Sequence, residues 1–171
     1  MTDMNGKLEL PYKLIDIETD DERFTLSFKS FKAHQDSYSI KRSGLAGDFE
    51  VYYKCSGMEN RFECDLTVGE LYCFYIELDN VYDGLPGTKP VAILESNSET
   101  QERTKMTFRP DEGKFLISGL FRNRDNCYKS GIFFDMKIDT LFVPKLVSEI
   151  LTALENFFKE LENIQGHRNF L

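Results

Sequence analysis

The sequence contains no tryptophan, only two histidines and no long apolar run. No segment approaches the ~20 apolar residues that a membrane-spanning helix needs. The first ten residues have no apolar stretch of the kind that a secretory signal contains. We therefore expect a cytoplasmic protein that does not insert into a membrane.

Motifs for nucleotide or metal chemistry are also missing. There is no phosphate-binding glycine loop and no calcium-binding ligand series. The four cysteines form no C-x-x-C pair, and we expect Cys55, Cys64 and Cys73 to be free thiols on apolar faces. Glu63 and Asp65 would point the same way from one strand, but no third ligand accompanies them. The sequence therefore predicts neither a metal nor a cofactor.

Candidate catalytic side chains are few. A catalytic histidine needs a positioned neighbour, and a reactive cysteine needs exposure beside a cation or a base. His34 has only Asp36 near it in sequence, and His167 lies close to the C-terminus. Cys127 follows Arg124 in a predicted loop. We predict that the protein is not an enzyme, with an unfamiliar active site on His34 or Cys127 as the alternative.

The charge balance bears on the partner. The chain has 29 acidic and 21 basic residues, for a net charge of −8, and the acidic residues are spread along its length. Nucleic-acid binding needs clustered Lys and Arg for phosphate contacts. An acidic surface instead speeds association with a basic protein. These counts predict a basic protein partner and no nucleic-acid partner.

Alternating apolar residues predict a protein of many strands. Fifteen Phe and eight Tyr suit strands and a ring-rich core. Segments 49–55 and 60–66 predict a hairpin with a four-residue loop, which would pair Tyr53 with Phe62. Segments 103–109 and 114–122 predict a second hairpin, in which Phe108 would face Phe115. Gly119 would lie on the inner face, where another element approaches closely.

Two helices are predicted. Thr67 and Glu70 form a capping box before a helix that ends near Gly84. A second, longer helix begins after Asp139 or Thr140. The predicted fold class is α+β, with a strongly curved, mostly antiparallel sheet of about eight strands and both helices packed on it. Residues 1–171 would form one domain with a flexible tail at 165–171, and closure into a partly open barrel is left open.

Four apolar residues fall out of phase with the inner face, namely Tyr52, Leu116, Leu120 and Phe133. They belong to the core if the sheet is covered on both sides. If one side is open, they form an exposed apolar patch, which marks an interaction site.

Two segments resemble the WapI-type immunity proteins, which are thought to neutralise a cognate toxin inside the producing bacterium. The first runs from Leu66 through the capping box to Gly87, and the second is the strand and helix start at 132–144. The sequence lacks the Gln of the family's closing strand motif and has Leu141-Phe142 where the family often has Tyr-Leu. The resemblance implies a cognate toxin domain as partner but supplies no binding residues.

Taken together, the charge and the resemblance predict a non-catalytic immunity protein that binds a basic toxin domain through an acidic surface. A small-molecule or lipid-binding β-rich domain is the alternative. The candidate contact residues are Glu50, Tyr52, Glu63, Asp65, Glu70, Glu77 and Asp83.

Overall fold

The computed structural model of the chain describes residues 10–31, 46–84, 91–96, 104–125, 127 and 129–168, with the side chains of the last helix described as far as Lys159. His34 and the strand predicted around 38–40 lie outside these residues, as does the His167 side chain.

Eight strands and two helices make up the described residues, in the order ββββαββββα. The first half consists of β1 (Tyr12–Glu18), β2 (Glu22–Phe31), β3 (Ala46–Cys55), β4 (Met58–Thr67) and helix α1 (Val68–Asp83). The second half consists of β5 (Ala92–Glu95), β6 (Thr104–Asp111), β7 (Lys114–Arg122), β8 (Gly131–Asp139) and helix α2 (Phe142–Arg168).

The strands form two antiparallel sheets, each with its four strands in sequence order. Strands that follow one another through short connections pair as antiparallel neighbours. The first sheet contains β1 to β4 and the second β5 to β8. The predicted α+β class and the number of strands are confirmed, and the strands divide into two sheets, one in each half of the chain.

The register of both predicted hairpins is shifted by two residues. Tyr53 pairs with Asn60 instead of Phe62, and Phe108 pairs with Ile117 instead of Phe115. Each turn has two residues with positive φ, Ser56-Gly57 in one and Glu112-Gly113 in the other. Such turns match the twist of the flanking strands better than the four-residue loops that were predicted. A shift of two leaves each side chain on its predicted face.

The two sheets meet through aromatic rings. Phe24 of β2 lies 5.4 Å from Phe121 of β7 and 4.8 Å from Phe134 of β8, measured between ring centroids. Tyr53 of β3 stacks on the same Phe134 ring at 5.0 Å. These ring contacts join the two sheets.

Helix α1 begins and ends where the sequence predicts. The Thr67 hydroxyl accepts a hydrogen bond from the Glu70 amide, and the Glu70 carboxylate accepts one from the Thr67 amide. Gly84 adopts a left-handed conformation after the last turn, with φ of 62°. A capping box and a left-handed C-cap satisfy backbone groups that a helix leaves unpaired.

Helix α2 packs beside β1 and α1. Its start follows the prediction, since the Asp139 carboxylate accepts a hydrogen bond from the Leu141 amide just before the first helical residue. Its backbone is helical as far as Arg168, which extends into the segment predicted as a tail. Within the described residues, no helix has the length and apolarity to cross a bilayer.

Candidate functional site

The outer faces of the two sheets carry different chemistry. On the first sheet this face contains three of the six acidic residues that were predicted to bind a partner, namely Glu50, Glu63 and Asp65. Its carboxylates pair with cations of the same chain, as described next. Its centre is well covered, since Thr25 and Ser27 are only 6% and 8% exposed.

Arg124 holds three carboxylates of the first sheet. This residue follows β7, and its guanidinium donates to Asp48 and to Asp65, the latter at 2.9 Å, and also to Glu63. Its amide donates to the Glu63 carbonyl at 3.0 Å. Burial opposes the guanidinium charge, but the hydrogen bonds to Asp48 and Asp65 outweigh it and raise the pKa of Arg124. Glu63 and Asp65, predicted as partner contacts, therefore serve to join the two sheets.

Other predicted contacts on this face also have partners. Glu63 accepts a second bond from Lys29 at 2.5 Å. The Arg61 guanidinium lies over the Tyr52 ring, 5.3 Å from its centroid, and 3.4 Å from the Glu50 carboxylate. Glu50 lies directly opposite Glu63 in the ladder. Like charges in opposed positions destabilise a sheet unless cations lie nearby, and Arg61, Lys29 and Arg124 supply them.

The helical residues of the predicted interface are divided in role. Glu70 belongs to the capping box. The Glu77 carboxylate accepts a hydrogen bond from the Ile93 amide on β5 at 2.8 Å, so it joins helix α1 to the second sheet. Asp83 is exposed at the end of the helix. Contacts within the fold thus occupy four of the seven predicted residues, namely Glu63, Asp65, Glu70 and Glu77.

The cysteines follow the prediction only in part. Cys64 is fully buried and burial raises the pKa of its thiol, as expected for a core position. Cys55 is half-buried, whereas Cys73 is exposed on α1, against the prediction that it lies on an apolar face. Cys127 is exposed with a positive φ of 56°. In the described parts of the chain, no three His, Cys, Asp or Glu residues are grouped to hold a metal ion.

The outer face of the second sheet is open and partly apolar. Phe133 is 71% exposed on the outer face of β8, which is an edge strand of this sheet. Leu120 lies directly beside it on β7, and Lys105 lies beside Leu120 on β6. The register thus aligns an aromatic ring, an aliphatic side chain and an ammonium group across three strands.

Cations and hydroxyl groups surround this row. Arg122 lies two residues beyond Leu120 along β7, on the same face and opposite Gly131 of β8. On the other side, Thr107 and Ser118 form the next row, and Arg109 with Leu116 the row after it. We call this surface the β6–β8 patch, defined by Lys105, Thr107, Arg109, Leu116, Ser118, Leu120, Arg122 and Phe133.

The β6–β8 patch offers a ring for stacking, cations for phosphate groups and hydroxyls for hydrogen bonds. Aromatic rings beside cations are the equipment with which proteins hold unpaired bases. The alternating pattern indicated part of this patch, because Leu116, Leu120 and Phe133 are out of phase with the inner face. Its exposure depends on which surfaces the helices cover, and the alternating pattern does not specify that.

Comparison with known proteins identifies the fold. Neither a family model nor a curated protein matches the chain. The structure of the plant transcriptional regulator PBF-2 is similar, with a TM-score of 0.51 and 13% identity over 90% of this chain and 86% of that one. WHY1 from Arabidopsis thaliana is similar too, with a TM-score of 0.51 and 10% identity over 94% of this chain and 95% of that one.

These findings overturn the predicted toxin-immunity function. The fold is shared with a plant transcriptional regulator across nearly the whole chain, and this contradicts both the toxin partner and the exclusion of nucleic acid. The physical reason is that net charge is a sum over the whole molecule. Arg124, Lys29 and Arg61 pair with much of the acidic face, while the β6–β8 patch combines cations with an exposed ring.

Proposed function

We propose that the protein binds single-stranded nucleic acid on the β6–β8 patch. The observation that carries this proposal is the 71% exposure of Phe133 in line with Leu120 and Lys105. The fold likeness supports it, because the similar plant protein is a transcriptional regulator and regulation of transcription acts on nucleic acid.

A single strand suits this surface better than a duplex. Bases in a duplex are stacked on one another, so a flat ring reaches their faces only when they are unpaired. The patch is presented by strands, and among the described residues no helix projects from it toward a groove. The distance from β6 to β8 is about 10 Å, because neighbouring strands lie about 4.8 Å apart. That width accommodates a short stretch of nucleotides lying across the strands.

Phosphate contacts would come from Lys105, Arg109 and Arg122. Lys105 lies 4.0 Å from Glu95, so binding would require its ammonium to exchange this carboxylate for a phosphate. With three cations, the logarithm of the association constant should fall with the logarithm of salt concentration with a slope of about −2. This modest slope is a consequence of an acidic protein that relies on stacking for much of its affinity.

The same proposal has no catalytic step. The paired carboxylates Glu63 and Asp65 are held by Arg124 and are therefore poorly placed to act as acid and base. Cys127 is exposed, and its loop carries Arg124, whose charge is already used by the carboxylates. We accordingly propose a binding protein and not an enzyme.

The test is a titration of fluorescently labelled single-stranded and duplex oligonucleotides, read by anisotropy. Phe133→Ala should weaken single-strand binding about tenfold or more, because stacking of a base on a ring is worth about 1–3 kcal/mol. The control is Phe158→Ala, which removes a ring of 44% exposure from helix α2. Equal loss in both variants, no loss in either, or tighter binding to the duplex would overturn the proposal.

A further inference from the structure

The outer edge of β8 differs from the other sheet edges. Each of the other three edge strands has a neighbour. Helix α2 packs beside β1. The Glu63 carbonyl on β4 accepts a hydrogen bond from the Arg124 amide, and the Ile93 amide on β5 donates one to Glu77. In the described part of the chain, no strand pairs with the far side of β8. A strand edge of nine residues with unpaired backbone groups is a template for another strand.

The ladder shows which backbone groups face this edge. The Asn123 amide donates to the Ser130 carbonyl at 2.8 Å, so this opposed pair is of the hydrogen-bonded type. Hydrogen-bonded and non-hydrogen-bonded pairs alternate along an antiparallel ladder. Even-numbered residues of β8 therefore bond to β7, and the amides and carbonyls of the odd-numbered residues from 131 to 139 point away from the sheet.

The last three of these odd positions carry side chains of alternating charge. Asp135, Lys137 and Asp139 are all exposed on the outer face of the sheet. The Lys137 ammonium also lies 2.7 Å from Asp111. An ammonium has three donors, so Lys137 can keep this bond and also donate to a second carboxylate.

We propose that β8 pairs antiparallel with β8 of a second copy of this chain, about a twofold axis at Met136. In this register Asp135 lies opposite the partner's Lys137, and Lys137 lies opposite the partner's Asp135. Opposite charges in directly opposed positions stabilise a pair of strands. The β5–β8 sheets of the two copies then join into one sheet of eight strands across the dimer.

The charges select this register over its neighbours. An axis at Asp135 would place that carboxylate opposite its own copy. An axis at Lys137 would place the ammonium opposite its own copy and Asp135 opposite the partner's Asp139. Directly opposed like charges are destabilising. In all three registers the odd-numbered residues of one strand lie opposite odd-numbered residues of the other. Backbone hydrogen bonds can therefore form in each register, and the side chains determine which register is favoured.

This interface is one strand long and therefore small. Interfaces well below the usual size are weak or transient. Dimers should accordingly form at high protein concentration and dissociate on dilution. The proposal rests on backbone pairing at the edge of β8 and does not require nucleic-acid binding, although Asp135 and Lys137 lie directly beside Ser118 and Leu116 of the β6–β8 patch.

The test is sedimentation equilibrium over a wide range of protein concentration, with the variants Asp135→Lys and Lys137→Asp. Each variant puts like charges opposite one another at both symmetry-related contacts and should raise the dissociation constant about tenfold or more. A mixture of the two variants should form heterodimers at least as tight as the wild-type dimer, because every contact is again between opposite charges.

Three outcomes would overturn the proposal. They are a wild-type protein that stays monomeric up to about millimolar concentration, variants that associate like the wild type, and a mixture that forms no heterodimers. The anisotropy titration with Phe133→Ala is scored separately, so failure of the dimer and failure of nucleic-acid binding remain distinguishable.

Discussion

The ring of Phe134 on β8 lies directly over the backbone of Gly119 on β7. A β-carbon built on Gly119 would overlap the edge of this ring, so only glycine fits there. The same ring stacks on Tyr53 and contacts Phe24 of the first sheet. The absence of one side chain on β7 thus allows the ring that joins the two sheets to lie flat.

Replacement of this glycine should be costly. Gly119→Ala should lower the free energy of unfolding by about 1–3 kcal/mol, because a methyl group would be forced into a packed ring. Chemical denaturation measures this change. In a double-mutant cycle, Phe134→Leu should relieve part of the penalty, so the two losses should be less than additive. Strict additivity would show that the ring is not what excludes the methyl group.

Arg124 should stabilise the fold more than an ordinary surface arginine does. Arg124→Ala leaves Asp48, Glu63 and Asp65 close together without their shared cation and should cost about 2–3 kcal/mol of unfolding free energy. Arg124→Lys keeps the charge but cannot bridge several carboxylates with a planar fork, so its loss should be intermediate. Arg109→Ala, at an exposed arginine, is the control and should change stability by less than about 0.5 kcal/mol.

Asp16 gives the fold a pH dependence. Burial of its carboxylate is outweighed by hydrogen bonds from Arg23 and Lys13, so the pKa of Asp16 is lower in the folded state than its ordinary value. A lowered folded pKa stabilises the protein above the unfolded pKa of about 3.9, and this contribution is lost as the pH falls through the folded value.

The corresponding variant is Asp16→Asn. It should cost about 1 kcal/mol at pH 7 and less at about pH 3, below the ordinary carboxyl pKa, because protonation of the wild-type carboxyl begins to remove the same interaction. Urea denaturation at both pH values measures the difference. A penalty that is the same at both would contradict the assignment of the stabilisation to the ionised carboxylate. Asp83→Asn, at the exposed end of α1, should leave stability unchanged at pH 7.

Glu77 should protect the amide of Ile93. Glu77→Ala removes the acceptor for this amide and should cost about 1–2 kcal/mol, because a part-buried donor is left unpaired. Glu77→Gln keeps an acceptor oxygen and should cost less. Hydrogen exchange followed by NMR should show faster exchange at Ile93 in the alanine variant than in the glutamine variant. Equal exchange rates would show that water or another group satisfies the amide.

The sequence specified which residues line the core better than it specified their partners. In both hairpins the alternation of apolar residues predicted the inner face correctly, since a shift of two preserves it. The register was wrong because Ser56 and Glu112 adopt a left-handed conformation, with φ of 49° in each. Serine and glutamate rarely do so, and a two-residue turn was therefore not the expected reading.

The error in register changed the chemistry predicted for the outer face. The predicted pairing of Tyr53 with Phe62 would have placed Lys54 opposite Arg61. In the structure Lys54 lies opposite Glu59, 3.3 Å away, and Arg61 lies opposite Tyr52. The partnership of Arg124 with Glu63 links residues 61 positions apart. Contacts between such distant segments depend on how the two sheets pack, and local periodicity carries no information about that packing.

The surface that contacts a nucleic acid can be located directly. The direct measurement is NMR mapping, in which isotope-labelled protein is titrated with a short single-stranded oligonucleotide at moderate salt. We predict that amide shifts change on β6, β7 and β8 around Lys105, Leu120 and Phe133, while those around Tyr52 on the first sheet stay constant. Shifts confined to the first sheet or the helices, or no shifts at saturating oligonucleotide, would contradict the central claim.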